Sequence, residues 1–325
     1  MKLKRVAFSI LVLTCLLLLT WHFGEREPAN LAIDHENFFI EDDVDAYLAK
    51  SEQSFDDIIK GVEKQVIWSG EPGIKTPISI IYLHGFTATA QEIRPVPERI
   101  AANLNANIYF ARLAGHGRPA RMMADVSIKR WMFDVGEALK VGGLIGQKII
   151  IMGTSTGGTL AAAAAVDKSM MKQVAGIIFI SPNFAINKMA ATLLTWPFAR
   201  YWVPLVIGEW QHSVPRNDQY ARYWTTDYPT IALMPMAALV KAVDELNFAD
   251  TDIPALFYYS PKDQVVIPTK TELFAERWGG ISKSIKVELL PSDDVFSHVI
   301  AGDIVSPGQT QNAIKHMLAW IRALQ

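Results

Sequence analysis

Cysteine is nearly absent: one residue in 325, Cys15, inside an N-terminal apolar run. The rest of the chain therefore forms neither a disulfide framework nor a thiolate metal site. An excess of charge of one sign is lacking too. Thirty-one Lys and Arg face 33 Asp and Glu, for a formal net charge of −2, with no basic block and no acidic tail. That pattern excludes the electrostatic footprint of a nucleic-acid binder and of a charged-tail partner. There is no internal repeat, and no second long apolar run of the kind a transporter or channel would need. What is present is half apolar and one-fifth charged, the composition of a globular protein with a large core.

The N-terminus carries Lys2, Lys4 and Arg5 ahead of "VAFSILVLTCLLLLTWHF", about eighteen apolar-rich residues from Val6 to Phe23. That is close to the ~20 residues a bilayer span requires. The run ends in Trp21, an interface residue, and not in the small-residue site of a cleaved signal peptide. Residues 1–23 therefore read as an uncleaved anchor. The positive-inside rule then leaves the main domain on the non-cytoplasmic side, periplasmic or extracellular; cleavage would make the protein secreted. A buried helix of the folded domain is the weaker alternative beside so basic a start. Cys15 makes a poor lipidation site, since Thr14 precedes it and the apolar run continues past it.

Residues 24–63 read as a tether with a short amphipathic helix near Asp42–Gln53. From residue 64 onward strand and helix patterns alternate. "KQVIW" (64–68), "PISIIYLHGF" (77–86), "ANIYFARLAGHG" (106–117), "KIIIMG" (148–153) and "VAGIIFISPNF" (174–184) read as strands running into loops. Helical patterns separate the later ones, at "AQEIRPVPERIAANLN", "VSIKRWMFDVGEALKVG" and "TLAAAAAVD". Short connections and continuous apolar strands predict a mostly parallel sheet covered on both faces. Such sheets carry their sites at the carboxyl ends of the strands. The alternation stops over about residues 184–250, which hold Trp196, Trp202, Trp210 and Trp224 and end in a helix near Ile231–Leu246. This stretch reads as a cap inserted over the active edge, or alternatively as two or three packed core helices. The sheet resumes with 254–266 and 284–292. A last helix follows, with Ala313, Ile314, Met317, Leu318, Ile321 and Leu324 on one face.

Gly153-Thr154-Ser155-Thr156-Gly157 matches G-x-S-x-G. The pattern alone is common. Between an apolar strand and an alanine helix, it predicts a sharp turn that strains the serine backbone and pushes its Oγ out of the sheet. Gly153 and Gly157 are required because strand and helix backbones nearly touch there. A phosphate loop would need a lysine after the last glycine; Thr159 stands there instead.

A nucleophilic serine needs a base, and the base an orienting acid, in the chain order Ser, acid, His. Of seven histidines, His22 and His35 lie in the anchor and tether, and His84 and His116 precede Ser155. His212 lies in the cap before any suitable acid, and His316 falls on the polar side of the last helix. His298, in "VFSHVIAGD", remains. The acid should follow the preceding strand, and "YYSPKDQVV" presents Asp263 on a turn. Asp293 and Asp294 are rivals that would have to fold back on His298. Asp252 lies at the wrong end of its strand, and the position after "VAGIIFI" carries Asn183 in place of an acid. The attacked carbonyl then needs two fixed donors. One is expected from the backbone N–H of Thr156 and the other from that of Phe86. His84 and Gly85 shape the Phe86 loop, with His84 read as structural.

Taken in order, "YLHGFTATAQEIRPVPERIA", "ARLAGHG", "GTSTGG", "FISPNF", "SPKDQVV" and "SHVIAG" resemble the α/β-hydrolase superfamily over roughly residues 64–325. The nearest likeness is to its serine esterase, carboxylesterase and monoacylglycerol-lipase-like branch. The resemblance implies an eight-stranded, mostly parallel sheet, a cap after the sixth strand, a Ser155–Asp263–His298 triad, and no metal or organic cofactor. It implies a structural "GHG" loop. The residue after the nucleophile, often methionine in such families, is Thr156 here; its backbone donor survives the change. The expected activity is ester hydrolysis through an acyl-enzyme. The aromatic, methionine-containing cap points to a lipid-like ester such as an acylglycerol or lysophospholipid. Thioesterase, amidase, peptidase or acyltransferase chemistry could use the same triad, and a membrane-tethered binding protein could use the same fold.

Overall fold

The computed structural model describes residues 2–33, 40 and 43–324; His35 and Asp42 lie outside these. Helix α1 (Lys2–Phe23) comes first, and its described side chains, from Lys4 on, are exposed. Among the described residues it is the one helix long and apolar enough to cross a membrane, with mean hydropathy 2.2 over Lys4–Phe23. Helix α2 (Val44–Glu52) is capped by the Asp43 carboxylate, which accepts from the Ala46 N–H at 2.9 Å.

The sheet is built from β1 (Gln65–Ile67), β2 (Thr76–Leu83), β3 (Asn107–Phe110), β4 (Gly146–Thr154), β5 (Val174–Ile180), β8 (Ala255–Tyr259) and β9 (Ser282–Lys286), in spatial order β1-β3-β2-β4-β5-β8-β9. All pairs are parallel except β1 with β3. The apolar runs of β2, β4, β5 and β8 alternate between two cores, as a period-two side-chain pattern demands. Ile81, Ile151, Ile177 and Phe257 face the layer of α4 (Ile128–Ile145), α5 (Thr156–Ala165) and α8 (Leu233–Asp244). Ile80, Ile150, Ile178 and Leu256 face α3 (Val96–Leu104) and α10 (Thr310–Arg322). Each such side chain, fully buried, contributes roughly 1.5–3 kcal/mol. The stripe expected on the last helix is buried from Ala313 to Ile321.

Three expectations need correcting. The main sheet has seven strands among the described residues, not eight. Ahead of β1, residues 54–64 run in turns, held by the Ile59 N–H on the Gly117 carbonyl and by Asp57 on Arg118. After β9 the chain leaves as a long loop into α10, so neither edge gains a strand. Second, much of the segment read as tether is part of the body. Ile33, Ile40, Val44 and Leu48 join the core, and the Glu52 carboxylate meets the buried Arg112 guanidinium at 2.7 Å. Third, the helix expected to end the cap, α8, packs on α5 in the main core, as its nearly all-apolar sequence requires.

The remaining insertion holds α6 (Ala199–Ile207), β6 (Trp210–His212), α7 (Asp218–Tyr223) and β7 (Asp227–Pro229), with β6 and β7 paired as an antiparallel ribbon. Helix α9 (Pro268–Arg277) completes the elements between β8 and β9. The insertion closes over the loop that follows β2. The Thr225 N–H donates to the Thr87 carbonyl at 2.7 Å, and the Tyr228 ring packs edge-on to Phe86 at 5.4 Å.

Candidate active site

Ser155 sits between β4 and α5 with φ 50° and ψ −116°, a strained conformation for a non-glycine residue. Only small neighbours permit it. A Cβ on Gly153 would stand 2.7 Å from the Gly157 carbonyl oxygen, and one on Gly157 would stand 2.1 Å from that of Leu83. The elbow is pinned at its base, where the Ser155 N–H donates to the Ile180 carbonyl and the Asn183 N–H to the Ser155 carbonyl. The side chain is thereby turned to the carboxyl edge of the sheet, at the positive end of α5.

The structure brings His298 and Asp263 to that point from two other loops. His298 Nε2 lies 3.0 Å from Ser155 Oγ, and His298 Nδ1 lies 2.7 Å from Asp263 Oδ2. A carboxylate only accepts, so Nδ1–H donates to Asp263 and the Nε2 lone pair is left for the Ser155 hydroxyl. The other Asp263 oxygen accepts from the Val265 and Val266 N–H groups at 2.8 and 2.9 Å, which fixes the carboxylate. Burial works against a charged His298. The Asp263 carboxylate outweighs it, with help from Asp294 and Glu92, and the imidazole pKa stands above its ordinary value.

The rival acids do other work. Asp294 accepts from the His298 and Val299 N–H groups and pairs with Arg216 of the insertion, so it shapes the histidine turn without meeting the imidazole. Asp293 accepts from the Leu290 and Gly308 N–H groups. Asn183, in the alternative acid position, packs beside Met236.

The Phe86 and Thr156 amides donate to no group among the described residues. The Gly85–Phe86 peptide is held from its other side. The Gly85 carbonyl accepts from the Ala88 N–H and from His84 Nδ1–H at 2.9 Å, while His84 Nε2 accepts from the Leu113 N–H at 3.0 Å. That pairing requires a neutral ring, and burial holds the His84 pKa well below its usual value. His116 bonds the Ala114 carbonyl and meets His84 edge-on, its pKa pushed down to about 4 by burial. Both histidines brace loops. Among the described residues no group of three or more His, Cys, Asp or Glu side chains is arranged to hold a metal ion.

Residues 77–288 match the model of a hydrolase family described as serine aminopeptidase, S33. The chain belongs to this family. It falls in the lipase and esterase-like branch of the α/β hydrolases. It is similar to a thermostable monoacylglycerol lipase of Bacillus sp. (strain H-257), 25% identical over 210 residues that span 65% of this chain and 79% of the relative. Among solved structures it shares its fold with a metagenome-derived lipolytic enzyme from a study of LipS and LipT, with TM-score 0.64, 20% identity and coverage of 82% and 99%. It likewise shares it with a soluble variant of the monoglyceride lipase of Saccharomyces cerevisiae, with TM-score 0.60, 14% identity and coverage of 82% and 93%.

One buried carboxylate at this site escaped the sequence reading. Glu92 Oε1 accepts from the Gly85 N–H at 2.7 Å and lies 2.8 Å from the Tyr82 hydroxyl. In "AQEIRP" it reads as an ordinary helix-start acid. Its only signal is its place seven residues after Gly85, just beyond the loop expected to carry the Phe86 donor.

Proposed function

We propose that this chain is a serine hydrolase of carboxylic esters with a lipid-like acyl or alcohol part, and that it works through an acyl-enzyme on Ser155. The observation that carries the reading is the hydrogen-bonded chain from Ser155 Oγ through His298 to Asp263 on a strained elbow. Ser155 Oγ attacks the ester carbonyl while His298 Nε2 takes its proton. Asp263 holds the tautomer and stabilises the imidazolium. The Thr156 and Phe86 amides receive the oxyanion, each contributing about 3–4 kcal/mol where such a donor has been removed elsewhere. His298 then protonates the leaving alcohol, and water, activated by the same imidazole, releases the acid.

The apolar packing around the oxyanion loop supports the substrate class. Phe86, Tyr228 and Trp131 pack around the oxyanion loop, and Tyr220 stacks on Trp224 beside Ala88 and Val299. The Bacillus and yeast relatives are monoacylglycerol lipases by description, and a monoacylglycerol is the substrate we favour. The division of labour we propose assigns residues 1–23 to the membrane, and 64–325 together with the docked residues 43–63 to the hydrolase, with its cap ahead of α8. The catalytic domain would then sit on the non-cytoplasmic side.

The membrane reading is supported by how α1 ends. Trp21 meets Trp196 edge-on at 5.3 Å, Arg26 donates to the Thr195 carbonyl at 3.0 Å, and Glu27 pairs with Arg200 at 2.7 Å. Beside that junction α6 exposes Tyr201, Leu205 and Val206, a surface suited to the lipid interface. The test is hydrolysis by the full chain in detergent of monoacylglycerols and p-nitrophenyl esters of graded chain length, beside aminoacyl amides. Ester turnover with an acyl-length optimum supports the reading; turnover of the amides alone would replace it with a peptidase.

A further inference from the structure

Glu92 is a buried carboxylate, 3% exposed, that the triad mechanism leaves without a role. Among the described residues no lysine or arginine pairs with it. An unpaired buried carboxylate is costly to keep, so its partners carry the explanation. Oε1 takes the Gly85 N–H and sits 2.8 Å from the Tyr82 hydroxyl, which is itself 2.8 Å from Thr154 Oγ1. An ionised carboxylate only accepts, so Tyr82 donates to Glu92 and accepts from Thr154. One oxygen thus ties the end of β2, the oxyanion loop and the residue before Ser155. The other oxygen and the Ser155 side chain both border Gly85. A Cβ on Gly85 would stand 3.1 Å from Glu92 Oε2 and 3.3 Å from Ser155 Cβ.

We propose that Glu92 is a positioning residue for the reaction: its carboxylate locks the His84–Gly85 peptide, so that the next amide, that of Phe86, stays on the oxyanion, and its charge supports the imidazolium that His298 becomes. The proposal rests on the triad reading. The groups facing the pair define its electrostatics. Tyr82 from β2 and Tyr220 from α7 face Glu92 as neutral phenols, and Glu98 from α3 faces Tyr82 while paired with Arg94. His298 faces Asp263, Asp294 and Glu92, with Arg216 balancing Asp294. Burial pushes the Glu92 carboxyl up to about 7, against the Gly85 and Tyr82 hydrogen bonds and the charge of His298. Each charge favours the other: His298 helps hold the Glu92 carboxyl down, and a negative Glu92 helps hold the imidazole up. A negative Glu92 raises the imidazole pKa, so removing that charge lowers it and moves the acid limb of kcat/KM to lower pH.

The experiment compares full-length wild type, Glu92→Gln and Glu92→Leu in detergent on p-nitrophenyl butyrate across pH, with a fluorophosphonate titration counting reactive serines. Gln keeps an acceptor for Gly85 and Tyr82 but loses the charge. Its acid limb is expected to fall by at least a few tenths of a pH unit, with kcat reduced roughly three- to tenfold. Leu loses the acceptor too, and kcat is expected to fall roughly 10- to 100-fold with KM within about twofold, the mark of an interaction made in the transition state. An acid limb in Glu92→Gln that coincides with wild type overturns the proposal, as does a Glu92→Leu kcat within about twofold of wild type. Should Leu prevent folding, the Gln profile decides alone. Wild type that no fluorophosphonate labels would sink the triad reading and Glu92 with it, whereas labelling with an unmoved limb sinks Glu92 alone.

Discussion

Ser155 is 7% exposed and Leu205, on α6 of the cap, is 84% exposed; the two stand for two ways in which this chain uses its residues. At the carboxyl edge of the sheet, the proposed triad is held at 2.7 and 3.0 Å, and a strained backbone is kept by glycines with no room for a Cβ. On α1 and at Leu205, Val206 and Ile207 of α6, apolar side chains such as Leu13, Leu18 and Leu205 are exposed, and any similar apolar residue would serve. The first region depends on position to a few tenths of an ångström. The second depends on composition alone. Substitutions should therefore be severe and specific at the edge, and graded and chemically tolerant on the cap.

The largest effect is expected at Gly157. Replacing it with Ala drives a methyl group into the Leu83 carbonyl, which should unfold the elbow and abolish both activity and fluorophosphonate labelling, read beside a lowered thermal midpoint. Ser155→Ala should keep the wild-type melting temperature and lose roughly 10⁴- to 10⁶-fold in kcat. Asp263→Asn should cost roughly 10²- to 10⁴-fold. It should also pull the acid limb of kcat/KM to lower pH, because the carboxylate that holds the His298 pKa above its ordinary value is gone. In the proposed mechanism the base is the neutral imidazole, so activity is expected above that pKa and lost as pH falls through it. On the cap, Leu205→Asp should leave kcat on a water-soluble ester within about twofold, while weakening association of the full chain with lipid in a vesicle partition assay. A comparable loss of kcat there would erase the distinction between the two regions.

Legibility followed the same division. β4 and β5 were readable because they are buried on both faces and carry unbroken apolar runs. β9, "SKSIK", is an exposed edge with almost no apolar signal, and its reading drifted to 284–292. Ser155, His298 and Asp263 could be reached because seven histidines and a required chain order leave few choices. Glu92 could not, since a buried acid and a solvated one look alike in sequence. Nor could the docking of residues 43–63 be foreseen, which turns on Glu52 meeting Arg112 across a sequence separation of 60 residues. The eighth strand was an expectation carried by resemblance, with no apolar run of its own behind it.

The central claim is a covalent acyl-enzyme on Ser155, and the most direct measurement is rapid-quench kinetics of the full chain with a p-nitrophenyl ester, followed by mass spectrometry of the quenched protein. The account predicts a burst of nitrophenol approaching one per reactive serine, with the acyl mass on the peptide containing Ser155, and neither in Ser155→Ala. Turnover that persists in Ser155→Ala, or an acyl group on a different residue, would contradict it.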